Sequence, residues 1–176
     1  SIFGWGQGFK APTIFQTTFF CCGATAANPN LVAETSDAFD IGFDWRFNES
    51  GSLALTYFNQ ETENQIDFSF AVGGYENIAQ VESDGIELSL NYDFSETISA
   101  DLNLAHINSE DGNGNELIRI PELTGDLTLN WQATETLRTT LAMVYNDDEL
   151  DSRGTVPGWS RFDLTGTWRP DASVEL

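Results

Sequence analysis

Few side chains in this sequence are equipped for covalent or metal chemistry, and their spacing limits what they can do. His106 is the only histidine, so any Ser-His-Asp relay would have to run through it. It follows Leu104 in a two-residue alternation that sets it among apolar neighbours near the end of a strand. A histidine at a membrane boundary is expected there in preference to a general base. Cys21 and Cys22 are adjacent, with no histidine or third thiol close by, so they cannot assemble a zinc cluster. A structural disulfide is the default expectation for them, either as a strained ring between neighbours or as bonds from each to cysteines elsewhere; a reactive thiol pair is the alternative. Gly112-Asn113-Gly114 carries the glycines of a tight turn, not of a phosphate loop. Glu110, Asp111, Glu116, Asp147, Asp148, Glu149 and Asp151 offer the oxygens that calcium seeks, but without the spacing of a known calcium loop, and are expected to form a solvated rim. No catalytic constellation, metal centre or cofactor site is expected, and an enzyme is the least favoured class.

Binding chemistry is better represented. Phe15, Phe19, Phe20, Phe68, Phe70 and Tyr75 lie in polar connections, where large apolar rings need either a ligand or one another. The chain holds 28 Asp plus Glu against 7 Lys plus Arg in 176 residues, a net charge of −21, and Lys10 is its only lysine. Phosphate recognition relies on clustered cations, so no nucleic-acid partner is expected. A composition that is 40% hydrophobic and 12% aromatic is too apolar for an unfolded acidic tail.

The elements that must position these residues are strands. No run of 18 apolar residues is present, which removes a transmembrane helix and leaves a spanning β-structure, whose signal is alternation. One face reads Phe39, Ile41, Phe43, Trp45, Phe47 against Asp40, Gly42, Asp44, Arg46. The same pattern recurs at Ile86 to Phe94, Ile98 to Ala105, Asp126 to Trp131, Leu137 to Tyr145 and Phe162 to Trp168, and no charge falls on the apolar face of these six segments. Short turns at 48–51, 95–96, 133–136 and 170–171 alternate with long polar connections at 11–34, 71–77, 108–119 and 147–157. Sorting by length in this way describes an up-and-down barrel with short turns on the periplasmic side and long loops outside the cell, a compartment that permits disulfides.

Aromatic placement agrees. Trp45 and Phe47, Tyr92 and Phe94, Trp131 and Trp168 occupy the last apolar positions before the short turns, where indole and phenol rings favour the headgroup boundary; Phe39, Tyr145 and Phe162 are candidates for an upper girdle. A water-soluble sandwich is the competing reading, but its solvent face would carry Lys and Glu freely, and it has no reason to sort its loops or align its aromatics. Residues 56–66 and 79–85 are polar on both faces, so the strands there are expected to outrun the roughly 9 to 11 residues a bilayer needs and to raise the wall above the membrane.

At this point the sequence resembles the C-terminal part of the barrel of TonB-dependent outer-membrane receptors of the vitamin B12 and ferric siderophore type. The resemblance rests on Gly8-Phe9-Lys10-Ala11-Pro12-Thr13, on Asn28-Pro29-Asn30-Leu31 followed by Glu34, Ser36 and Gly42, and on Tyr57-Phe58 with Asn64-Gln65-Ile66. Tyr75-Glu76-Asn77, Gly85-Ile86-Glu87, Arg119-Ile120-Pro121 and Phe162-Asp163-Leu164 continue it along the whole chain. Ala33 stands where the family usually has proline, and adjacent cysteines are outside the common pattern.

The resemblance implies an all-β fold: about eight to nine strands of an antiparallel, roughly 22-stranded transmembrane barrel in the outer membrane of a Gram-negative bacterium. Ser1 opens inside an apparent strand and Val174-Glu175-Leu176 begins another, so residues 1–176 are expected to be the C-terminal portion of the barrel, without plug domain or closing strand. The implied function is energy-coupled uptake of a ferric siderophore or a cobalamin-like corrinoid, with outer-membrane lipid and TonB as partners. Asp40, Asp44, Arg46, Glu87, Asp93, Asp101, Asp126, Arg138 and Asp163 would line the lumen, hydrate a path and hold the plug. A passive porin and a surface adhesin or autotransporter barrel are the alternatives.

Overall fold

The structure is a computed structural model that describes residues 1–18, 20–21, 24–25, 27–78 and 80–170. Eight long strands form one meander: β1 (Ile2–Lys10), β4 (Glu34–Asn48), β5 (Gly51–Glu63), β8 (Gln80–Ser95), β9 (Ile98–Asp111), β10 (Leu123–Thr134), β11 (Leu137–Asn146) and β14 (Trp159–Trp168). Every neighbouring pair is antiparallel and sequential, as hairpin connections require. The remaining elements decorate the long connections: α1 (Ile14–Thr18) and the two-residue strands β2 (Phe20–Cys21) and β3 (Ala24–Thr25), then the hairpins β6 (Ile66–Ser69) with β7 (Gly74–Asn77) and β12 (Glu149–Asp151) with β13 (Gly154–Val156).

Register carries the alternation of single strands into two continuous faces. Ile41 opposes Tyr57, Tyr57 opposes Ile86, and Ile86 opposes His106. Two residues away, Phe43, Leu55, Leu88, Leu104, Gly125 and Tyr145 stand in one row. Side chains on strands alternate with a period of two, so a slip within the band would have mixed the faces; the register shifts fall beside the short turns, between Arg46 and Asn48, Asp93 and Ser95, and Gln132 and Thr134. Side-chain bonds cross-link the polar face: Asn91 Nδ2 donates to Asp101 at 2.7 Å, Ser89 to Asn103 Oδ1 at 2.8 Å, and Asn103 Nδ2 to Asp126 at 3.0 Å.

No interior core lies between the faces. Among the described residues only Leu31, Ile66 and Val81 are buried hydrophobics, whereas Phe43, Trp45, Ile86, Trp131 and Leu164 are all exposed on the apolar face. A water-soluble sheet of this size would cover that face with a second layer. Its exposure is the arrangement expected where lipid supplies the apolar surroundings. No described helix is long and apolar enough to cross a membrane; the strands are the spanning candidates.

The stagger of the turns shows how the strands lean. Gly51, the first residue of β5, pairs with Tyr92, three residues short of the end of β8; Ile98, the first of β9, pairs with Trp131, three short of the end of β10. Three residues rise about 10 Å while two strand spacings cover about 9.6 Å, a tilt of roughly 45°. Trp45, Tyr92 and Trp131 are each four residues before their own turns, so this tilt brings them to one depth. Trp45, Phe47, Tyr92 and Phe94 also touch in sequence, with centroids 4.9 to 5.8 Å apart. β1 and β14 do not pair with each other, so the sheet is open at both edges.

Two boundaries differ from the sequence reading. The connection expected at 71–77 runs from 64 to 79, because Ile66, Phe68 and Tyr75 form their own small hairpin instead of prolonging β5. β9 continues to Asp111, beyond the loop start expected at 108, and Asp111 caps the turn that follows. Its carboxylate accepts from Asn115 Nδ2 and from the backbone N–H groups of Asn115 and Asn113, while Gly114 takes the left-handed conformation (φ 77°) that a side chain would strain. The strands at this end are longer than a bilayer needs, with β8 running 16 residues against 10 for β11; Ala79 lies outside the described residues.

Candidate functional site

At the long-loop end of the wall, four of the six aromatic candidates come together. Tyr75 on β7 meets Phe15 of α1 edge-on at 6.1 Å and Phe68 of β6 at 5.5 Å, and Phe68 meets Phe70 at 5.2 Å. The chain of rings Phe15, Tyr75, Phe68, Phe70 thus joins two loops distant in sequence. Phe15 is 61% and Phe70 93% exposed, so both present ring surface outward while packing against their neighbours. The rings therefore pack on one another, as the self-packing expectation requires, and still keep exposed surface. Phe19 and Cys22 lie outside the described residues; Phe20 and Cys21 form β2, and their side chains are not described.

Polar groups fix this arrangement from below. Lys10 Nζ donates to Glu34 Oε1 at 2.6 Å across β1 and β4, and the same oxygen accepts from the Ile66 N–H at 3.2 Å. Asn77 Oδ1 accepts from the Val32 N–H at 3.0 Å, and its Nδ2 donates to Val32 O at 3.1 Å and Asn64 O at 2.5 Å. Asn28 Nδ2 donates to Tyr75 O at 3.1 Å. Sequence reasoning assigned no role to Glu34 or Asn77, although both stood in the stretches that carried the resemblance. Their amide and carboxylate bridge loops far apart along the chain.

All nine acidic and basic candidates of the wall share the face opposite to the apolar one. Asp40 opposes Gly4 and Phe58, Asp44 opposes Ala54, Arg46 opposes Ser52, and Glu87 opposes Thr56 and Ala105. Asp93 opposes Ser99, Asp101 opposes Thr128, Asp126 opposes Val144, Arg138 opposes Thr167, and Asp163 opposes Ala142 while accepting from Arg161 Nε at 2.9 Å. The row is diluted by Ser, Thr, Ala and Gly, which leaves a hydrated, low-profile surface.

A second acidic feature is visible only in the register. Asp37, Glu61, Glu82 and Glu110 oppose one another in turn on the same face as the apolar band and just beyond it. Like charges directly opposite are unfavourable, and neighbouring amides offset this: Gln7 Nε2 donates to Asp37 at 2.5 Å, Gln80 Nε2 to Glu61 at 2.5 Å, and Asn59 Nδ2 to Glu82 at 3.2 Å. Of the rim acids, Asp151 accepts from Arg119 Nε at 2.9 Å, and this bond, with the Arg153 and Ser152 donors behind it, holds its carboxyl below the usual range. Asp111 is lowered likewise, first by the Asn115 side chain. Among the described residues no group of three or more His, Cys, Asp or Glu side chains is disposed to hold a metal ion. His106 lies on the apolar face between Ile86 and Leu123.

An antiparallel, tilted meander with one lipid-suited face, one polar face, sorted loops and an aromatic cluster on its long-loop end defines a section of an outer-membrane-type barrel wall. The family model for the TonB dependent receptor-like beta-barrel matches residues 1–176. The Ferrienterobactin receptor of Escherichia coli K12 is 30% identical over 161 residues, covering 76% of this chain and 21% of that protein. Ferric enterobactin receptor PirA of Pseudomonas aeruginosa is 30% identical over 181 residues, covering 86% of this chain and 24% of that protein. A variant of the Pseudomonas aeruginosa ferric enterobactin receptor PfeA, solved in complex with enterobactin, superposes with a TM-score of 0.79 over 97% of this chain and 31% of that one, at 19% identity. The chain belongs to the TonB-dependent receptor-like β-barrel family. It spans less than a quarter of the length of these two curated relatives, and the partial, all-β antiparallel barrel expected from its alternation is the fold observed.

Proposed function

We propose that these 176 residues form the C-terminal part of the barrel of an outer-membrane receptor that takes up a ferric siderophore with energy supplied through TonB. The observation that carries the reading is the ring chain Phe15, Tyr75, Phe68, Phe70, exposed at both ends and held on the long-loop rim above the apolar band. Aromatic side chains offer large contact area at little conformational cost and suit a ligand with flat aryl groups. The relatives at 30% identity are named as enterobactin receptors, which supports the siderophore branch of the sequence expectation over the corrinoid branch.

In this reading the nine charged residues of the polar face line the lumen and hold a plug supplied by another part of the protein. About 22 strands enclose a lumen too wide to leave open, so a plug and a pull on it are needed for selective passage. Differential binding supplies the switch: ligand binds the loops without energy, and only passage requires it. Measuring cell-surface binding and internal accumulation of labelled ferric enterobactin, with and without an uncoupler, tests both halves. Binding that persists while accumulation stops is expected, with Tyr75→Ala weakening the binding step. Accumulation unchanged in uncoupled cells would identify a passive porin.

A further inference from the structure

We propose that Asn77 is a positioning residue, which clamps residues 27–33 onto the β6–β7 hairpin and thereby presets the aromatic surface for ligand. The inference rests on the siderophore reading above and adds a residue that touches no ligand.

The geometry is that of a side chain standing in for a strand. Asn77 accepts from the N–H of Val32 and donates to the carbonyl of the same residue, at 3.0 and 3.1 Å, which is the two-way exchange a β-partner makes. Its Nδ2 also reaches Asn64 O at 2.5 Å, and Asn64 is one of two non-glycine residues with a left-handed backbone among the described residues (φ 56°). Only an amide can serve all three groups, because a carboxylate cannot donate and an alkyl group can do neither.

Two further bonds span the same gap. Asn28 Nδ2 reaches Tyr75 O at 3.1 Å, and Glu34 Oε1 takes the Ile66 N–H at 3.2 Å. Leu31 and Ile66, on opposite sides of the gap, are two of the three buried hydrophobic residues of the described chain. Phe68 and Tyr75 sit on the hairpin that this clasp holds, and Tyr75 meets Phe15 of α1, so the clasp sets the hairpin's side of that ring contact. Without the clasp the ligand itself would have to hold residues 27–33 against the hairpin, and that cost would come out of its affinity.

The test uses the full-length receptor in outer-membrane vesicles, with ferric enterobactin as probe and amide hydrogen exchange as an independent readout. Asn77→Ala is expected to speed exchange across residues 27–33 and to weaken binding about tenfold, the equivalent of one to two lost net hydrogen bonds. Asn77→Ser, whose hydroxyl keeps one donor and one acceptor, should fall between Asn77→Ala and the parent, and it serves as the second variant should the alanine form fail to assemble. Uptake should show a raised KM with an unchanged maximal rate, since the pull on the plug is untouched. Unchanged exchange at 27–33 overturns the clasp. Faster exchange with a Kd within about twofold of the parent overturns the positioning role. A parent receptor that fails to bind ferric enterobactin overturns the siderophore reading and the ligand half of this proposal, while the exchange readout still decides the clasp.

Discussion

Leu90 and Asn91 are adjacent on β8, face opposite ways, and allow the assignment of the lipid side to be measured. Leu90 stands between Leu53 and Leu102 on the apolar face, six residues before the turn at 96–97. At about 3.3 Å per residue and a tilt of roughly 45°, it is about 14 Å from the turn, near the middle of an apolar band about 25 Å tall. An arginine there must carry its charge into hydrocarbon, which costs roughly 2 to 4 kcal/mol, or about 30-fold to 1,000-fold in the folding equilibrium. Asn91 opposes Ser52 and Asp101 and already donates to Asp101 at 2.7 Å, so Asn91→Arg places a cation beside a carboxylate on the polar face. Its cost should be below about 1 kcal/mol. Urea titration of the full-length receptor in lipid vesicles, followed by tryptophan fluorescence and by the electrophoretic shift of the folded barrel, gives both numbers. Equal penalties, or a larger one at Asn91, would refute the assignment of faces.

Three other outcomes follow from particular contacts. A side chain at Gly85 would meet the carbonyl of His106 and the ring of Phe58, so Gly85→Val should cost about 1 to 3 kcal/mol by the same titration, whereas Gly6→Val, with open space above it, should cost much less; similar losses would contradict the packing. Glu61→Gln relieves repulsion from Asp37 and Glu82 and should stabilise by a few tenths of a kcal/mol at low salt, a gain that vanishes at about 1 M salt; a loss at low salt would show that the Gln80 bond outweighs the repulsion. The Arg119 bond depresses the Asp151 pKa, so its contribution is present above the unfolded carboxylate value of about 3.9 and is lost as pH falls through the lower folded value. Exchange protection at 117–119 should therefore hold at pH 5 and fail only below about pH 4, and loosening already at pH 6 would refute the tether.

The alternation of Phe39 to Phe47 or Ile86 to Phe94 was legible because a strand's faces are a property of consecutive residues, and six charge-free faces needed no knowledge of partners. Turn positions were legible to within a residue or two for the same local reason. The hairpin β6–β7 was not: Ile66 and Phe68 continue the polar, mixed pattern of residues 56–63, and only the left-handed backbone at Asn64 and the bonds from Asn77 show where β5 stops. The ring candidates were recognisable by type, and the sequence also placed them outside the band. Their joining into one chain was not recognisable, because Phe15 and Tyr75 are 60 positions apart and meet through loops whose course no periodicity encodes.

What the sequence determined by itself is therefore everything that depends on neighbours along the chain: the class of fold, the apolar and polar faces, the aromatic rim, the sorting of short turns from long loops, and the absence of the cations that nucleic acid would need. Tertiary structure alone decided what depends on register and on loop-to-loop contact. It set the tilt through three-residue offsets, brought Asp37, Glu61, Glu82 and Glu110 into one row, and placed Asn77 where one amide closes two loops. The reason is physical. Side-chain direction along a strand is fixed by covalent geometry with a period of two, whereas which residues stand opposite each other is set by the summed energy of many weak pairings across strands distant in sequence.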